Sequence, residues 1–93
     1  MPLDLVQAAR LYRQAADQGF GLAQLNLGLF YHDGEGGLPK DPVQAFVWVS
    51  LAAKGGEEDA PHWRDVIGKT LTAEQLAQAQ AVISAWKPAK PPV

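Results

Sequence analysis

Cysteine is absent from this chain of 93 residues. That excludes disulfides, thiolate nucleophiles and cysteine-based zinc sites. A surplus of positive charge is also missing. Eight Lys and Arg stand against ten Asp and Glu, for a net charge of −2, and the cations are scattered along the chain. Nucleic acid and anionic membranes are recognised by concentrated basic patches, so neither is expected as a partner. No apolar run approaches the length of a membrane span, and Met1-Pro2-Leu3-Asp4 does not open a secretory signal. The expectation is a cytoplasmic protein without bound cofactor or metal. Stability must come from packing, and a hydrophobic content of 47% is enough for one core.

What the chain does have is an internal echo at a spacing of 37 residues. Asp4-Leu5-Val6-Gln7-Ala8 returns as Asp41-Pro42-Val43-Gln44-Ala45, and Ala15-Ala16 with Gly19 returns as Ala52-Ala53 with Gly56. A period between about 20 and 50 residues marks stacked repeats, in which one unit buries its apolar face only against the next.

The local signals between these echoes are helical. Asp4 is placed to cap a first helix to about Gln18, with Leu5, Ala8, Leu11, Tyr12, Ala15 and Ala16 on its apolar face. Gly19 and Gly21 mark the turn. A second helix is expected from about Leu22 to His32, with Ala23, Leu27, Phe30 and Tyr31 inward. Gly28 inside it costs roughly 1 kcal/mol against alanine, which calls for close approach of a neighbouring helix. Asp33 to Lys40 is a glycine-rich loop, and Asp41-Pro42 restarts the chain with a cap and a proline at the first helical position. The third helix runs to about Lys54, burying Ala45, Trp48, Val49, Ala52 and Ala53. A fourth follows Asp59-Ala60-Pro61, with Ala60, Trp63, Val66 and Ile67 inward. Thr72-Ala73-Glu74-Gln75 forms a capping box for a fifth helix to about Trp86, striped by Leu76, Ala79, Ile83 and Trp86. The fold class is all-α, with about five antiparallel helices and short loops. Lys87-Pro88-Ala89-Lys90-Pro91-Pro92-Val93 is expected to be an extended, flexible tail.

The stretch from Gln18 to Gly36 resembles the Sel1-like repeat, a relative of the tetratricopeptide repeat, and the likeness continues through Asp41, Ala45, Trp48, Ala52-Ala53 and Gly55-Gly56. Ala23, Leu27, Gly28 and Tyr31 match the signature of a unit's first helix, Gly34 and Gly36 its loop, and Ala45, Trp48, Ala52 and Ala53 its second helix. The resemblance implies a short right-handed superhelix in one domain, residues 1–86. Within it, 4–19 would be a half repeat, 20–56 a complete repeat and 57–86 a C-terminal cap like that of bacterial members. The loop is one residue longer than the pattern, at Gly37-Leu38. The fourth helix has Arg64 and Asp65 where the Leu-Gly pair would stand, as an atypical terminal unit does. A repeat that opens almost at once is also what a piece of a longer solenoid looks like.

Catalytic readings are thin. His32 beside Asp33 is the one pair that suggests a general base, as in a small hydrolase, but no nucleophile turn surrounds Ser50 or Ser84. His32 and His62 lack the spacing of a metal pair, and Glu57-Glu58-Asp59 is read as complementing the positive end of the fourth helix. The second helix carries a further apolar stripe, Leu22, Leu25 and Leu29, flanked by Asn26, His32 and Asp33. By the resemblance, that side lines the concave groove where a peptide or protein partner binds. Two other outcomes follow from such a stripe: the last helix folds over it, or two copies pair through it.

Overall fold

The computed structural model describes residues 4–89. Five helices make it up: α1 (Leu5–Asp17), α2 (Gly21–Asp33), α3 (Pro42–Lys54), α4 (Ala60–Gly68) and α5 (Ala73–Ala85). There is no strand among the described residues. The all-α expectation holds, with boundaries within a residue or two of the sequence signals. α2 packs on α1 and on α3, and α3 also carries α4 and α5.

The sequence echo is a pair of identical stops and starts. Asp4 Oδ1 accepts from the Val6 and Gln7 amides at 3.1 and 3.2 Å, and Asp41 Oδ1 accepts from the Val43 and Gln44 amides, both at 3.1 Å. These bonds satisfy amides that a helix start leaves without intrahelical partners. At the other end, Gly19 and Gly56 both take left-handed angles, φ 96° and 92°. The amides of Gly19 and Phe20 bond back to Ala16 and Ala15, as those of Gly56 and Glu57 do to Ala53 and Ala52. Only glycine turns the chain there without a Cβ clash. Asp41→Ala is expected to lower stability by about 1 kcal/mol, roughly 4–8 °C in Tm, while Asp41→Asn keeps most of it. Equal thermal melts for the alanine variant and the parent would show that the cap carries nothing.

The core centres on α3. Every residue from Ala45 to Ala52 is buried, including Phe46, Val47 and Leu51, which fall off the stripe expected for a one-faced helix. The reason is position: α2, α4 and α5 surround it. Other expected core residues lie at the surface. Leu5 and Leu11 of α1 and Val66 of α4 are exposed, because no described helix packs outside those faces. Gln24, in contrast, is buried, and its Nε2 donates to the Ala16 carbonyl at 3.1 Å, tying α2 to the end of α1.

The C-terminus of α5 returns to the start of the bundle. Trp86 packs edge-on against Trp48 with ring centroids 6.4 Å apart, and the Ala89 amide donates to the Asp17 carbonyl at 2.6 Å. The expected free tail is therefore held as far as Ala89. Its remainder, 90–93, lies outside the described residues.

Candidate protein-binding site

At 100° per residue, Leu22, Asn26, Leu29 and Asp33 fall within a narrow sector of α2, while Leu25 and His32 lie to one side of it. That side turns towards α3 and α4. Gly28 meets Val49 and Ala45 of α3, and the His32 ring lies 6.2 Å from that of Trp63 on α4. The stripe accordingly splits. Leu22 is 59% exposed and Asp33 is exposed, whereas Asn26, Leu29 and His32 are half-buried. Leu25 is only 4% exposed and belongs to the core cluster. The expectation that Leu25 offers its side chain to a partner is corrected on that ground.

The face that remains open is Leu22, Asn26, Leu29 and Asp33, and beside His32 stands Trp63, which packs against the core cluster as expected but is not fully covered. Trp63 is half-buried and has two imidazoles near its ring, His32 at 6.2 Å and His62 at 5.6 Å. A tryptophan held this way presents apolar area at low cost in side-chain entropy, which is what interface anchors need. Past His32, a hollow of about 320 Å³ is lined by His32, Lys40, Pro42 and Thr70. The signal for Trp63 was available in sequence: it stands 37 residues after Asn26, at the same step of the repeat.

The elements of a hydrolase are not gathered around His32. No hydrogen bond or ion pair joins it to Asp33 among the described residues. Ser50 is buried within α3, its Oγ without a hydrogen-bond partner among the described residues, and Ser84 is exposed on α5. Nucleophile and base must lie within hydrogen-bond reach for activation. Among the described residues no group of three or more His, Asp or Glu side chains has a metal-holding arrangement. No described helix is long and apolar enough to cross a membrane.

The sequence profile of the Sel1 repeat matches residues 1–20 and again residues 21–57. The chain is 37% identical over 60 residues to chitin synthase regulatory factor 4 of Schizosaccharomyces pombe, a stretch covering 64% of this chain and 10% of the fungal protein. The matched region thus spans about a tenth of that relative's length.

Proposed function

We propose, from the premise that the chain belongs to the Sel1 repeat family, that it is a non-catalytic scaffolding module. It binds a peptide or protein through the open face of α2. In this reading residues 20–56 are one complete unit, 4–19 a half unit and 57–86 a terminal cap. Repeats of this family mediate protein–protein interaction, and the fungal relative is named as a regulatory factor rather than an enzyme, which supports the reading. The observation that carries it is Leu22, left 59% exposed and aligned with Leu29 on a helix whose other sides are packed. A partner's apolar side chain would sit between Leu22 and Leu29, with Asn26 and His32 adding polar contacts and Asp33 favouring a basic neighbour.

Leu22→Asp is expected to abolish partner capture from the native host while leaving the thermal melt within about 4 °C, since exposed substitutions usually change stability by no more than about 0.5 kcal/mol. Leu25→Asp, by contrast, buries a charge and should unfold the protein. Retained capture by a folded Leu22→Asp chain would sink the proposal.

A second reading, stacking against another copy or another repeat through α1, is favoured by Leu11. It is 56% exposed, yet its counterpart one period later, Trp48, is 4% exposed beneath packed neighbours. Sedimentation of the isolated chain separates the two readings. A monomer that still captures its partner leaves the α2 face as the site, and a concentration-dependent dimer broken by Leu11→Asp favours stacking.

A further inference from the structure

On the opposite side of α1 from Leu11 lies a cleft of about 460 Å³, between that helix and the loop after α2. The repeat explains why it exists. Ala9 stands where Phe46 stands one period later, and Phe46 is buried, with its ring 3.1 Å from where a Cβ on Gly68 would lie. The smaller side chain leaves the space unfilled. Gly36 then lets the loop close down on α1, since a Cβ there would lie 2.8 Å from the Leu5 carbonyl oxygen and 2.9 Å from Ala9.

The walls differ in kind from those of the second copy. Arg10, Arg13 and Gln14 occupy the positions of Val47, Ser50 and Leu51, all of which are buried in the packing around α3. An apolar helix is thus a poor occupant of this face, because it would strand the Arg10 guanidinium and the terminal nitrogens of Arg13 without partners. The floor is apolar, formed by Leu27, Tyr31 and Leu38. Among the described residues, the charged ones in the lining are the two arginines, although the chain as a whole carries a net charge of −2.

Arg13 is preset. Its Nε donates to both Asp17 oxygens, at 3.1 and 3.3 Å, and its guanidinium lies 5.5 Å from the centre of the Trp48 ring. Its terminal nitrogens have no partner among the described residues, and Arg10 makes no ion pair there. A guanidinium fixed before binding loses little side-chain entropy when it meets a carboxylate.

We infer that this cleft is a second docking site, independent of the α2 face, for a partner segment that pairs an aliphatic side chain with adjacent carboxylates. The aliphatic group fills the hollow over Leu27 and Tyr31, and the carboxylates meet Arg10 and Arg13. A cavity of this size is within the ~300–1,000 Å³ that binding pockets occupy, and its two cations sit at the rim, where a chain passing across would meet them.

The test uses a fluorescein-labelled peptide with the core Asp-Glu-Leu-Leu-Glu between Gly-Ser flanks, and a twin with lysine in place of each acid. Fluorescence anisotropy on the full chain is expected to show the acidic peptide binding at least ~10-fold more tightly at low salt, with the gap closing as salt screens the charges. Arg10→Glu, an exposed change, should weaken the acidic peptide by about 5- to 10-fold without moving the thermal melt. Backbone amide shifts on titration should concentrate at Gly36, Gly37 and Leu38. Equal binding of the twins, an unaffected Arg10→Glu variant, or shifts confined to α2 at Leu22 to Asn26 would each overturn the inference. So would self-association of the chain alone that Arg10→Glu abolishes, which would make a second copy's Glu57-Glu58-Asp59 turn the occupant.

Discussion

Gly28→Val is expected to destabilise the protein by about 3 kcal/mol or more, enough to leave much of it unfolded near 37 °C. A Cβ at Gly28 would lie 2.6 Å from Val49 Cγ2, 3.1 Å from the Ala45 carbonyl oxygen and 3.2 Å from the Val49 amide nitrogen. Two of those three atoms are backbone, and Val49 is fully buried, so relief requires α2 and α3 to move apart. The opposing effect is helix propensity, which favours alanine over glycine by about 1 kcal/mol and cannot offset a clash of this size. Gly28→Ala should accordingly be intermediate, and Val49→Ala in that background should recover part of the loss by removing the nearest methyl group. Urea melts of the two single variants and the double variant close the cycle. A Gly28→Val chain that melts with the parent would mean that the two helices are not in contact at Gly28.

Much of this fold was legible because the repeated residues are the ones a backbone needs at fixed places. Asp4 and Asp41 recur as caps, and Gly19 and Gly56 recur as left-handed stops. Gly28 was readable as a close approach for the same kind of reason. What periodicity could not supply was the presence or absence of a neighbour. Leu5 and Leu11 have the spacing of a core face, but a pattern states only which side is apolar, and nothing described covers that side. Phe46, Val47 and Leu51 failed in the opposite sense, since a helix enclosed by α2, α4 and α5 has no polar side to set a period. At the candidate site, Leu22 and Leu25 look equivalent in sequence, yet the roughly 60° by which three residues fall short of a full helical turn leaves the first in solvent and puts the second in the core. The Arg10–Arg13 cleft was in principle visible. Setting the two halves of the echo side by side shows Ala9 against Phe46 and Arg10 against Val47, a loss of volume and a gain of charge on one face.

Trp48→Ala should be the most damaging of the aromatic truncations, with a loss of about 3–5 kcal/mol out of a total of roughly 5–14 kcal/mol for a domain of this size. Trp48 is 4% exposed and joins three helices, with Arg13 of α1 over its ring and Trp86, at the end of α5, against its edge. Removing the ring leaves a cavity and also frees Arg13 and Trp86, so α1 and the returning C-terminus should loosen together. Hydrogen exchange should report that as a joint loss of protection in α1 and α5. Trp48→Phe should behave quite differently. The indole Nε1–H is buried with no hydrogen-bond partner among the described residues, and an unsatisfied buried donor costs about 1–3 kcal/mol. Phenylalanine removes that donor while keeping most of the ring, so the lost volume and the relieved N–H oppose each other and the net change should lie within about 1 kcal/mol of zero. If the phenylalanine variant falls as far as the alanine variant, the N–H is satisfied in solution and the ring is held by that bond rather than by its packing. A phenylalanine chain that melts with the parent assigns the role of Trp48 to volume: it fixes the spacing of α1 and α3, and with it the guanidinium of Arg13 at the mouth of the cleft.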